Sequence, residues 1–98
     1  MKKEDVKSWV VENLPQQEIT SVKDIDHISM CLHHIWEWHY EGRPLGGFLT
    51  AVVQDRFARA CIQADDVNRK VLHLYALFLY NHIGEDYKEK ALAKAEVK

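Results

Sequence analysis

Three of the four glycines and one of the two prolines fall within seven residues, Gly42-Arg43-Pro44-Leu45-Gly46-Gly47-Phe48. This cluster constrains the fold more than any other feature. Gly42 reaches the left-handed region without strain, and Pro44 cannot continue a helix. The chain therefore has to turn between two long helical patterns. A turn accounts for the cluster without any ligand. The same stretch also suits an anion, because Gly46 and Gly47 let backbone N–H groups at the next helix start approach a phosphate.

Periodicity divides the rest into helices. Residues 3–13 form a short amphipathic segment carrying Val6, Trp9 and Val10, with Trp9 pinning it to the body. Leu14-Pro15 stops it, and Gln16-Gln17-Glu18 reads as loop. A second helix is expected from Val22 to Glu41, with Thr20 or Ser21 as N-cap, Asp24 and Asp26 near the positive end of its dipole, and Gly42 beyond its end. Ile25, Ile28, Leu32, Ile35 and His39 make one core stripe. His27, Cys31, His34 and Trp38 make a second, roughly 100° further round. Only Asp26, Ser29, His33 and Glu37 are left to face water.

A third helix is expected from Leu45–Phe48 to about Ile62, with Leu49, Val53, Phe57 and Ala60 inward and Gln54, Asp55, Ala58 and Arg59 outward. Asp65 caps a fourth, Val67 to about Ile83, which is apolar all round and closed by Gly84; Asn68 stands weakly in its capping-box position. Residues 87–98 have helix formers but little apolar face and read as a frayed tail. No stretch alternates as a strand does. The expectation is an all-α single domain, residues 1–98, built as an irregular or orthogonal bundle of three main helices plus a short N-terminal one.

Composition narrows the function. Of 98 residues, 47% are hydrophobic and 29% charged, which fits one globular domain. The net charge of −2 argues against general nucleic-acid binding. The N-terminus lacks an apolar leader pattern, and the longest apolar run, Val71 to Tyr80, is too short to span a bilayer. A soluble, cytoplasmic protein is expected. Cys31 and Cys61 lie singly in apolar patterns, as small buried side chains in a reduced compartment.

Catalytic and metal chemistry find little support. Cys31 sits among apolar neighbours, where a thiol loses reactivity. No serine lies on a glycine elbow. His27, Cys31 and His34 share a helix face, but a zinc ion needs a fourth ligand that nothing fixes, and packing in a helix seam explains them. Neither an enzyme, a metal nor a cofactor is expected. Aromatics are dense beside the turn: Trp36, Trp38, Tyr40 and Phe48. Packing accounts for them as core and rim. Rings next to arginine and open amides also suit a nucleotide-type anion. The candidate ligand set is Trp38, Arg43, Gly46, Gly47 and Phe48, with Arg56, Arg59, Asn68 and Arg69 completing it, in part across a dimer; Asn81 is a further base-edge candidate.

From Gly42 to Asn81 the chain resembles a group of small proteins encoded by phages and prophages. The shared features are the glycine turn running into Phe48-Leu49-Thr50-Ala51-Val52, the step Ala64-Asp65-Asp66-Val67-Asn68, and the pair Tyr80-Asn81 near the end of the last helix. This chain departs from the pattern at Leu45, where the group has a second proline, and at Gln54, where it has asparagine. The resemblance implies a phage setting inside a host cell rather than a reaction. In that setting two functions are expected: a sponge that sequesters an anionic nucleotide-like signal of host defence, or a module that blocks a host protein through an aromatic-rich helical surface. Surplus apolar faces on the second and fourth helices point to a homo-oligomer.

Overall fold

The computed structural model describes residues 1–14 and 21–96; the loop expected at 16–18, the Leu14-Pro15 stop and Thr20 as a cap lie wholly or partly outside them. The fold is all-α, without a strand among the described residues. The elements are α1 (Lys3–Asn13), α2 (Val22–Glu41), α3 (Gly47–Val53), α4 (Phe57–Gln63), α5 (Asp66–Arg69), α6 (Leu72–Phe78) and α7 (Tyr87–Glu96). A π-helical turn, Leu79–Ile83, continues α6. Among the described residues no helix is long and apolar enough to cross a membrane.

Helix α2 follows its periodicity. Ile28, Leu32 and Ile35 are fully buried, and Gly42 ends the helix at φ 78°, where it and Arg43 donate to the Glu37 carbonyl. Ser21 holds the cap position, but its hydroxyl makes no capping bond. The face expected to be wet is instead partly covered, because α1 packs against α2. Ser29 is buried and donates to the Ile25 carbonyl, His33 reaches the Met1 carbonyl, and Lys7 pairs with Asp26 at 2.8 Å. Val6 and Val10 are fully buried beneath α1. Trp9 sets its ring edge-on to Phe78 and His82, so it anchors α1 to the π turn.

The single third helix is divided. Asp55 adopts φ 61°, a left-handed conformation that aspartate tolerates better than most residues. Its N–H bonds the Val52 carbonyl, and the Arg56 N–H bonds the Ala51 carbonyl. These are the two bonds of a Schellman stop, made here without glycine. Helix α4 then leaves at a new angle. Leu49, Val53 and Ala60 remain buried as expected, but Phe57 is turned out and is 74% exposed.

The expected fourth helix is also divided. Residues 70–71 separate α5 from α6, and the π turn follows where Gly84 N–H bonds the Leu79 carbonyl. Val71, Leu74, Tyr75, Phe78, Leu79 and Ile83 form its buried side, whereas Leu77 and Tyr80 stay exposed. Residues 87–96 of the stretch expected to fray form α7, which docks. Ala91 is buried, Lys90 Nζ donates to the Ile83 carbonyl at 2.8 Å, and Lys94 Nζ donates to the His39 carbonyl at 3.3 Å. One small side chain and two tethered lysines suffice, which is why a search for an apolar stripe misses this helix. Truncation after Asp86 should therefore lower the melting midpoint by more than about 5 °C. A midpoint equal to that of the full chain would show that α7 contributes nothing.

Two ring nitrogens, His39 Nδ1 and His82 Nε2, are buried without a hydrogen bond to any described residue. Burial lowers the pKa of both rings, and at His39 Lys90 and Lys94 push the same way. The unfolded chain then takes up protons at a higher pH than the folded one. Stability is full above the ordinary histidine range and declines as pH falls through it. The urea midpoint should drop between about pH 7 and 5, and His39→Gln with His82→Gln should flatten that drop.

Candidate functional site

The turn, the Asp55 stop and the two helices beside them place four of the expected ligand residues around one groove. Gly46, Gly47, Arg56 and Arg59 line a hollow of about 290 Å³ together with Gln54 and Gln63. Arg56 stands at the start of α4, and Arg59 lies one turn on. Both are exposed, and neither is ion-paired with a described residue. A Cβ at Gly46 would meet nothing within 4 Å, but one at Gly47 would lie 2.7 Å from Gln63 Oε1. The space over Gly47 thus belongs to the Gln63 amide. Because α3 has only seven residues, it brings a weaker dipole than the continuous helix expected, and attraction for an anion falls to the arginines.

Arg43 and Trp38 line a neighbouring hollow of about 400 Å³, which shares Leu45, Thr50 and Gln54 with the first. Arg43 Nη1 pairs with Glu37 at 3.3 Å. Burial holds the His34 ring below its ordinary pKa, and Arg43 adds to that effect. Trp38 is half-buried, with Lys94 Nζ 5.3 Å from its ring centroid.

Three expected ligand residues belong to the fold instead. Phe48 is part of the packed interior, edge-on to Tyr75 at 5.4 Å, so its ring is not offered to a base. Arg69 is a staple: Nε donates to the Cys61 carbonyl and Nη2 to the Ala64 carbonyl, closing the end of α4 onto α5. Asn68 is only 2% exposed. Its Oδ1 accepts from the Tyr75 hydroxyl at 2.6 Å, its backbone N–H donates to Asp65 Oδ1 at 2.8 Å, and its Nδ2 lies near Asp65, His27 and Cys31. A buried amide with this many partners is a structural hub. Asn81 is exposed on the π turn.

The remaining chemistry-bearing residues gather at that hub. His27 Nε2 lies 2.7 Å from Asp65 Oδ2. Burial raises the Asp65 pKa, but the Asn68 N–H and the His27 ring outweigh it and hold the carboxyl below its usual range. Burial pushes the Cys31 thiol up, so it is held as a thiol. Among the described residues no three His, Cys, Asp or Glu side chains are grouped to hold a metal ion.

Sequence reasoning missed Phe57, the most exposed aromatic ring of the molecule, because the continuous wheel turned it inward. Its only signal was Asp55, a residue able to reverse a helix without glycine. Compared with protein-family models, curated proteins and solved structures, the chain matches none.

Asn68→Ala leaves the Tyr75 hydroxyl buried without its acceptor and should cost about 2 kcal/mol. Tyr75→Phe keeps the ring and should cost about 1 kcal/mol. Urea unfolding measures both, and an Asn68→Ala variant as stable as the parent would remove the hub.

Proposed function

We propose that this chain is a non-enzymatic binding protein for a small phosphate-bearing ligand of the nucleotide type, held by Arg56 and Arg59. One observation supports this above others: both guanidinium groups line a single groove with Gly46 and Gly47 and carry no acidic partner among the described residues. An arginine left unpaired in a hollow is available for bidentate phosphate contact. The likeness to small phage proteins gives the binding a setting, sequestration of a host defence signal in the host cytoplasm. Self-association through the exposed Leu77 of α6 and Tyr80 of the π turn belongs to the same proposal.

The second reading, a module that blocks a host protein, draws support from α4, where Phe57 and Ile62 are 74% and 78% exposed beside Arg56 and Arg59. That patch replaces the one expected around Trp38, which Lys94 covers. Aromatic and arginine side chains of this kind anchor protein interfaces.

Thermal shift over nucleotides and cyclic dinucleotides separates the two. A ligand at a hundred times its Kd stabilises by about 2.7 kcal/mol, several degrees in a chain of this size. Arg56→Ala with Arg59→Ala should abolish the shift, whereas Arg43→Ala should keep most of it. If no compound moves the parent midpoint, the ligand-binding function fails and docking through α4 takes its place.

A further inference from the structure

The arginine groove continues past Arg56 into a second depression of different chemistry. Ala51 and Arg56 form walls of both. This slot, about 90 Å³, lies between the Asp55 corner and α6. Phe57, Leu72 and Ala76 make it apolar, and Asp55 and Tyr87 add one carboxylate and one phenol. We infer that the slot takes the base of a nucleotide whose phosphate rests on Arg56 and Arg59, and that Asp55 selects a base rich in N–H donors, of the guanine type. This rests on the anion-binding function proposed above.

Charge fixes the orientation. A carboxylate only accepts hydrogen bonds and repels a phosphate, so the phosphate is directed to the arginine side and the ring to the Asp55 side. Asp55 Oδ1 accepts from the Tyr87 hydroxyl at 3.1 Å. Burial and the adjacent carboxylate both push the Tyr87 phenol up, which keeps it a donor and keeps Asp55 turned toward α7. Oδ2 has no donor among the described residues, leaving acceptor capacity for a ligand. Guanine presents its ring N–H and its amino group side by side, a match for a carboxylate, while uracil presents one N–H.

Phe57 lines the slot and is 74% exposed, so it offers a ring face for stacking. The opposite flank of the groove is less suited. It shares Leu45, Thr50 and Gln54 with the phosphate groove but neither Arg56 nor Arg59, and the Trp38 ring is already met by Lys94.

Calorimetric titration with guanosine monophosphate, uridine monophosphate and ribose 5-phosphate tests the slot at nearly constant ligand charge. Guanosine monophosphate should bind about tenfold or more tightly than ribose 5-phosphate, since one stacked base contributes on that scale. Phe57→Ala should remove most of that advantage, and Asp55→Asn should erase the preference over the uridine compound. Both variants keep the fold, because Phe57 is exposed and asparagine accepts the left-handed backbone as readily as aspartate; circular dichroism checks this. Equal affinity for ribose 5-phosphate and guanosine monophosphate would overturn the base slot and leave the anion function standing. A base advantage lost in Trp38→Ala but kept in Phe57→Ala would place the ring on the other flank and overturn it as well. Absence of binding by all three compounds would overturn the base slot, and the anion function with it only if the wider thermal-shift screen is also blank.

Discussion

The buried amide of Asn68 is the interaction on which the rest of the structure depends. It lies where α2, α5 and α6 meet, and its partners come from all three neighbourhoods: His27 and Cys31 from α2, Asp65 from the cap of α5, and Tyr75 from α6. An amide without these partners would make the position a net cost, since a buried polar group loses its water. With them it fixes the direction of α5. Arg69, one residue on, then ties α5 back to the Cys61 and Ala64 carbonyls, so the end of α4 is set by the same hub. Tyr75 joins the hub to the turn as well, because its ring carries Phe48 from the first helical turn after the glycine pair.

What that hub holds in place is the corner at Asp55. A continuous helix from Gly47 to Ile62 would have put Phe57 into the interior. The left-handed residue sends α4 off the line of α3 instead, leaving Phe57 in solvent and carrying Arg56 and Arg59 to the flank where Gly46 and Gly47 lie. Tyr87 holds the corner from outside through Asp55 Oδ1. The docking of α7 thus bears on the groove as well as on stability. Residues distant in the chain, the glycine turn and the C-terminal helix, meet around one non-glycine αL position.

Helix α2, its glycine stop and the Asp65 cap were legible because each has a local cause: a long 3.6-residue period, a residue free to take positive φ, and a side-chain acceptor three residues ahead of an N–H. The corner was not, because aspartate carries no strong signal for αL and the apolar period ran on through it. The division of α5 from α6 and the π turn were hidden for a related reason: a segment apolar on every side has no phase to lose. The face of α2 read as wet was polar for another purpose. Ser29 and His33 satisfy backbone carbonyls beneath α1, and no periodicity distinguishes that from solvation. Phe48, Asn68 and Arg69 were read as ligand groups from their residue types, yet each is consumed by packing or by hydrogen bonds within the chain.

That consumption narrows the candidate site by elimination. Of the four arginines, Arg43 faces Glu37 and Arg69 faces Asp66. Arg56 and Arg59 have no such partner among the described residues and line one groove. In a chain of net charge −2, two unpaired cations in a hollow create a local field opposed to the overall one.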